Sequence, residues 1–485
     1  MVFNMPIPRS VPSIKASKKA QLIPLAVFMA LLGTITVLMP TLGILLFCLC
    51  AFITFCWFYP LYSFALVSFL AFLNNINIVY DAPIRVVTER YTIVTLPIII
   101  ILTIVVIKIV SNNKRFFVHR PYDSKDGVNR SASPVSSYDY LIILFCLWSA
   151  VTMLWTQDIY HGWNSLFSLT LGCILYFLAL YFLTDRKSLE VFFKVIFLGG
   201  LLLVVLFTLS NKIDFTPYVL KLGKNLTLEC GLVTYEQRPG GFAPPQLAAN
   251  MFVFILFSGY CLWASANKAL KYSLIGLSVV FCSAIFASGS KAASGSFLIG
   301  VLSLIAIYPP LRKRFVWVTP LTLAALLGTL LFNSLVLGSD RMTQGGDMNS
   351  ASLSYRLEFW EVGFAQLREY AFGIGIGGFA RLVDPWPGAH SLYFGVLFEE
   401  GGVGWLILFL YLMLLLTEII SFRNISIDPV HQLYGSCILS YWIVFFIHGT
   451  VDIAYFLPHI WLFLGATSAI IKMVKKNCIT PSHAF

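Results

Sequence analysis

Charge is what this sequence lacks most. Only 11% of its 485 residues are Asp, Glu, Lys or Arg, where a soluble domain carries roughly 25%. So few charges cannot cover a water-facing surface, and a soluble or disordered chain is excluded. The ten cysteines form no CxxC pair and no Cys/His cluster at zinc spacing, so a structural metal framework is excluded as well. No A-x-A site follows the first apolar run, which argues against a cleavable signal peptide. There is no internal repeat, and no DxD motif lies in a segment assigned below to the outer face.

What fills the sequence is apolar: 58% hydrophobic residues and a mean hydropathy of +0.83. About 30 Å of hydrocarbon takes roughly 20 apolar helical residues to cross. Runs of that kind lie near 21–39, 41–59, 60–79, 92–110, 138–156, 165–183, 189–209, 246–265, 272–287, 292–308, 315–337, 389–418, 433–449 and 457–473. The sequence therefore predicts an all-α polytopic membrane protein with about 14 transmembrane helices. The span at 60–79 is the weakest, because Asn74, Asn75 and Asn77 crowd its end.

The net charge of +11 reads as the Lys/Arg excess of cytoplasmic loops and not as a nucleic-acid footprint. With the N-terminus in the cytoplasm, 21 of the 33 Lys and Arg fall inside and eleven outside, with Lys194 in a span. The acids divide the other way. This predicts both termini inside, a basic tail over 1–20 and a cytoplasmic tail over 474–485, with helices over 21–209, 246–337 and 389–473. Two long loops, 210–245 and 338–388, then lie outside. In so economical a chain, long loops carry function.

The first loop ends Arg238-Pro239-Gly240-Gly241-Phe242-Ala243-Pro244-Pro245-Gln246 and runs straight into a helix. A helix N-terminus offers N–H donors to an anion, and an arginine fork suits phosphate oxygens. Spacing alone leaves a second reading open, an interfacial arginine on a capped loop. In the second loop Leu353, Leu357, Trp360, Phe364 and Leu367 recur at helical spacing, predicting an amphipathic helix. Arg356 lies in its first turns, where a cation does not complement the helix dipole; it serves either as an anion ligand or as a surface arginine. Gly373-Ile374-Gly375-Ile376-Gly377-Gly378 formally contains GxGxxG. It follows a helix and not a strand, so it reads as a flexible turn and not as a dinucleotide site. His390 stands at the mouth of a span. Alone it is an interfacial histidine; beside arginines from distant loops it is a base near neutral pH. Glu399, Glu400, Gly401, Gly402 and Gly404 follow inside that span. His448 and Asp452, four apart at another helix end, read as structural.

Three segments in order carry a resemblance: Arg238–Gln246; Ser354-Tyr355-Arg356 with Trp360, Phe372–Gly375 and Phe379; and Ala389-His390-Ser391-Leu392-Tyr393 with Glu400-Gly401-Gly402-Val403-Gly404. Over roughly 230–420 the chain resembles the O-antigen ligase/polymerase superfamily of bacterial membrane glycosyltransferases. The resemblance implies a GT-C-like fold in the bacterial inner membrane, with a periplasmic active site and no cofactor or metal. Its implied substrate is an undecaprenyl-pyrophosphate-linked glycan, and its further partners are the lipid bilayer, a chain-length regulator and a flippase. Carried over, Arg238, Arg356 and Lys291 bind the pyrophosphate and His390 activates the acceptor hydroxyl. Arg85, Arg90, Arg341 and Arg381 are left to contact a second substrate. Three positions depart from the common pattern. Lys291 stands where relatives often have arginine, Gln246 follows Pro245 in place of asparagine, and Ser391 follows His390 in place of asparagine. Fourteen spans favour a repeat-unit polymerase over a ligase that attaches glycan to lipid A-core. A flippase is a third reading, disfavoured because the polar residues gather in the outer loops.

Overall fold

The computed structural model describes residues 40–71, 76–81, 88–92, 95–111, 136–210, 218–221, 226–230, 233–235, 238–241, 245–263, 268–288, 290–312, 356–382, 389–425, 428–451, 455 and 457–479. Two units divide the chain, Met1–Phe58 and Tyr59–Phe485. The first contributes α1, Pro40–Phe58, which has no charged residue.

The second unit is a helical bundle. Its elements are α2 (Pro60–Leu70), α3 (Thr95–Ser111), α4 (Asp139–Thr152), α5 (Ile159–Phe182), α6 (Arg186–Ser210), α7 (Pro245–Leu262), α8 (Lys268–Ala287), α9 (Lys291–Ile307), α10 over 356–369, α11 (Leu392–Ile425), α12 (Pro429–Gly449) and α13 (Pro458–Ile479). Helices thus occupy twelve of the fourteen expected segments; 21–39 and 315–337 lie outside the described residues. Four stretches among the described residues are long and apolar enough to cross a bilayer: Ile159–Phe182, Arg186–Val205, Leu392–Phe422 and Pro429–Gly449. The chain is a multi-pass membrane protein.

Local chemistry sets the helix starts. Asp158 accepts the His161 N–H at 3.0 Å and opens α5. Ser290 accepts from Ala293 at 3.2 Å and opens α9. Asp428 accepts from Val430 at 3.0 Å before Pro429, whose missing N–H costs nothing at a first helical position. Along the bundle α5 packs on α13, α9 on α12 and α4 on α11, while α6 and α7 lie side by side.

The all-α expectation needs one correction. Six short strands occupy polar stretches between helices. Ile76–Asp81 (β1), Thr88–Thr92 (β2), Tyr218–Lys221 (β3) and Leu226–Cys230 (β4) form an antiparallel sheet in the order β2-β1-β4-β3. Val233–Tyr235 (β5) and Arg238–Gly241 (β6) form a separate hairpin. The span expected at 60–79 accordingly stops as a helix at Leu70, and β1 begins at Ile76. β-Branched and aromatic residues in these stretches suit a pleated strand better than another turn of helix.

Candidate functional site

The bundle has two polar ends. At one, Asp139 opens α4 fully buried. Its carboxylate takes hydrogen bonds from Tyr176 and Lys472, from Ser468 at 3.3 Å and from the Ser136 N–H at 2.5 Å. Lys475 pairs with Glu418 nearby along α13 and α11. α4 runs antiparallel to α11, so its other end lies level with the start of α11, where the candidate residues gather.

There α11 is two pieces. Gly401, at φ 68° and ψ −173°, breaks it. In an unbroken helix the carbonyls of Phe398, Glu399 and Glu400 would accept from residues four ahead. Here the Ile374 N–H donates to Phe398 O and the Gly375 N–H to Glu399 O, both at 3.0 Å. The Trp148 indole donates to Glu400 O at 2.8 Å. The glycine segment is therefore a wedge seated in the break. The expected flexible turn is corrected: residues 373–379 are all buried. Trp155 donates to Gly373 O at 3.1 Å, Thr156 Oγ1 to Ile376 O at 2.8 Å, and Thr152 Oγ1 accepts the Ile376 N–H at 3.2 Å. Gly373, Gly375 and Gly377 have φ of 80°, 88° and 71°, a region where a side chain is strained. A Cβ on Gly375 would also strike the Thr156 backbone.

Beneath the wedge lie the buried carboxyls of Glu399 and Glu400. Both converge on one phenol: Tyr455 Oη is 2.8 Å from Glu399 Oε2 and 2.9 Å from Glu400 Oε1. The backbone N–H groups of Gly377 and Phe379 also bond the Glu399 side chain. Sequence reading quoted these glutamates without giving them a role. Two adjacent acids in an apolar run, with glycines behind them, were the available signal.

His390 precedes the outer piece of α11. Its φ is +48°, a left-handed conformation that costs a non-glycine residue on the order of 1–3 kcal/mol and persists only where its surroundings dictate it. They do so here. The Trp360 indole donates to Ala389 O at 3.0 Å. The Phe359 ring stacks on the imidazole at 6.4 Å between centroids and 17° between planes. Ser391 caps α11 by accepting the Phe394 N–H at 3.3 Å and contacts Gly449 O at 3.4 Å. Arg356 opens α10 three residues before Phe359, which puts the two on one helix face. Arg356 therefore lies one helical turn from the ring that stacks on His390.

The helix expected over the second loop is present, and Trp360, Phe364 and Leu367 of its expected stripe pack on the aromatic row of Phe394 and Phe398 and the cluster around it. The inward face is rotated slightly from the expected one: Phe359 and Gly363 are buried beside that stripe, while Leu357 is 48% exposed.

The other candidates are placed less closely. Arg238 begins β6, paired with Tyr235 across the hairpin, and β6 lies against α6 and α7. Lys291 is the first residue of α9, just after the cap Ser290. Arg90 is in β2. Arg381, expected at a second substrate, donates to the Gln157 carbonyl at 2.8 Å and braces the α4–α5 connection. In that connection the carboxyl of Asp158 is raised by burial, but the backbone and ring of His161 outweigh this and hold it below the usual range. His448 is buried near the end of α12. Arg85, Arg341 and Asp452 lie outside the described residues.

Comparison with known proteins adds the family. Among curated proteins none matches the chain significantly. One solved structure, described as "Structural coordination of polymerization and crosslinking by a peptidoglycan synthase complex", is 16% identical, covers 71% of this chain and 98% of its own, and has a TM-score of 0.41. The family pattern described as O-antigen ligase matches residues 251–409. That segment is similar to the O-antigen ligase family; it takes in Lys291, Arg356, the wedge, His390 and the break in α11 and leaves Arg238 just outside.

Proposed function

We propose that this chain is a GT-C-type membrane glycosyltransferase that moves a glycan from undecaprenyl pyrophosphate to an acceptor hydroxyl on the periplasmic side of the bacterial inner membrane, and that it polymerises O-antigen or exopolysaccharide repeat units. The observation that carries the reading is the His390 corner. A histidine is held in a strained backbone by Phe359 and Trp360, with Arg356 on the same helix face as Phe359.

The chemistry follows from those groups. His390 accepts the proton of the acceptor hydroxyl as its oxygen attacks the anomeric carbon. The bond from that carbon to the pyrophosphate oxygen breaks, and undecaprenyl pyrophosphate leaves with the electron pair. Arg356, Arg238 and Lys291 meet the charge that develops on it, the role a metal plays elsewhere. Direct displacement inverts the anomeric centre. Arg85, Arg90, Arg341 and Arg381 are outer cations beyond that set for a second lipid-linked substrate, Arg381 while one of its N–H groups holds the Gln157 carbonyl. The orientation rests on the excess of Lys and Arg in the loops assigned to the cytoplasm. It is supported by Lys472 and Lys475, which lie at the end of the bundle opposite His390.

A second reading, an O-antigen ligase acting on lipid A-core, is favoured by the description of the matched family. One assay decides. Purified protein given only undecaprenyl-pyrophosphate repeat units is expected to build longer lipid-linked chains. If single units stay unextended and are transferred once lipid A-core is added, the ligase reading holds instead.

A further inference from the structure

Beside the wedge lies an open cleft of about 580 Å³ that the His390 chemistry does not use. Two chain segments more than 200 residues apart form it: the α4–α5 connection, through Trp155 and Gln157, and the end of α10, through Glu369, Tyr370 and Phe372. The three rings remain open, with Trp155 37%, Tyr370 44% and Phe372 60% exposed.

The cleft is preformed. Trp148 lies edge-on to Trp155 at 6.0 Å and against Phe372 at 6.4 Å. The Trp155 indole is fixed to Gly373 O at 3.1 Å. The Gly373 N–H donates to Tyr370 O at 2.9 Å, closing the turn that presents Tyr370 and Phe372. Arg381 fixes Gln157 through its carbonyl at 2.8 Å.

Its chemistry selects among ligands. A pyrophosphate needs cations, and the charged side chain lining this cleft is Glu369, of the wrong sign, while the neighbouring Arg381 is held on the Gln157 carbonyl. An acyl chain gains nothing from a carboxylate and an amide at the rim. A ring of interfacial aromatics, the ordinary habit of membrane proteins, scatters single rings around the perimeter and builds no concavity. A pyranose fits each part. Its C–H face carries slight positive charge and packs on the negative face of an aromatic ring. Its neighbouring hydroxyls donate to a carboxylate and exchange hydrogen bonds with an amide.

The position adds a length. Phe359, against His390, and Tyr370, at the cleft, are eleven residues apart along α10. At 1.5 Å per residue that is about 16 Å. A single sugar at His390 does not reach the cleft. We propose that the Trp155–Tyr370–Phe372 cleft is a distal glycan subsite, holding sugars of the acceptor chain beyond the unit that reacts at His390. The proposal rests on the glycan-transfer reading and adds the recognition of chain length to it.

The test uses full-length protein in nanodiscs and, as probe, delipidated oligosaccharides of one, two and four repeat units from the host's own surface polysaccharide. Binding is read by tryptophan fluorescence on His390→Ala protein, so that turnover does not intervene. Affinity is expected to rise about tenfold from one repeat to four. Tyr370→Ala/Phe372→Ala and, separately, Glu369→Gln are expected to flatten that rise, with the unfolding temperature in detergent confirming that each variant is folded. Affinity independent of length in the parent, or a rise that survives in folded variants, overturns the subsite. Transfer is assayed in parallel on the His390 protein. Absence of any transfer counts against the proposed function, whereas transfer without length-dependent binding counts against the cleft alone.

Discussion

The two polar ends of the bundle solve opposite problems. Around Asp139 the backbone is regular and side chains do the joining. Tyr176, Ser468 and Lys472 close on one carboxylate and tie α4 to α5 and α13. Around His390 the backbone itself is irregular. A helix is broken at Gly401, three glycines of the wedge and one histidine have positive φ, and main-chain N–H groups replace a missing turn. The first arrangement is what a membrane protein needs to stay assembled. The second is costly to build and fixes the backbone at the residue that the proposed mechanism uses as its base.

If that contrast is right, damage at the two ends should separate. The largest effect belongs to His390→Ala, expected to insert normally and to lose glycan extension by about 10²–10⁴-fold, the usual contribution of a general base. Arg356→Ala should come close to it, with Arg356→Lys a poor rescue because the planar fork is lost. Normal product in cells carrying only His390→Ala would remove the base from that position.

At the other end, Asp139→Ala strands Lys472 and should lower stability by about 3–5 kcal/mol, read as thermal unfolding in detergent. Activity per folded molecule should survive. Asp139→Leu combined with Lys472→Met should recover only part of the stability: no unpaired charge then remains, but Tyr176, Ser468 and the Ser136 N–H lose their acceptor. Loss of activity without loss of stability at Asp139 would break the comparison.

Gly375→Ala tests the wedge between the two. A side chain there meets both a φ of 88° and the Thr156 backbone. The strain of about 1–3 kcal/mol should appear chiefly as lost turnover, because His390 rides on the piece of α11 that the wedge holds. The smallest effect is expected from chelation. Extension should be unchanged in EDTA if, as proposed, arginines carry the leaving group's charge; loss restored by one divalent ion would contradict this.

Much of this was legible in the sequence, and the gaps have physical causes. Apolar run length located the helices, since hydrocarbon thickness leaves little freedom. The places of Arg356 in the first turn of α10 and of His390 just before α11 were also legible, while their roles belong to the proposal. The glycine run was misjudged as loose. Positive φ looks the same in an exposed turn and in a buried wedge, and the partners that distinguish them, Trp155 and Thr156, lie about 220 residues away. The strands were missed for a similar reason: β1 pairs with β4, from a loop that is distant in sequence.

The break at Gly401 has a mechanical consequence. A continuous α11 would transmit every tilt or bend along its hydrogen-bond ladder to His390. With the carbonyls of Phe398 and Glu399 bound to the wedge, the ladder is cut, and the outer piece follows α10 and the α4–α5 connection. The carbonyls that would carry the ladder from the long inner piece toward Leu392 are committed to the wedge instead.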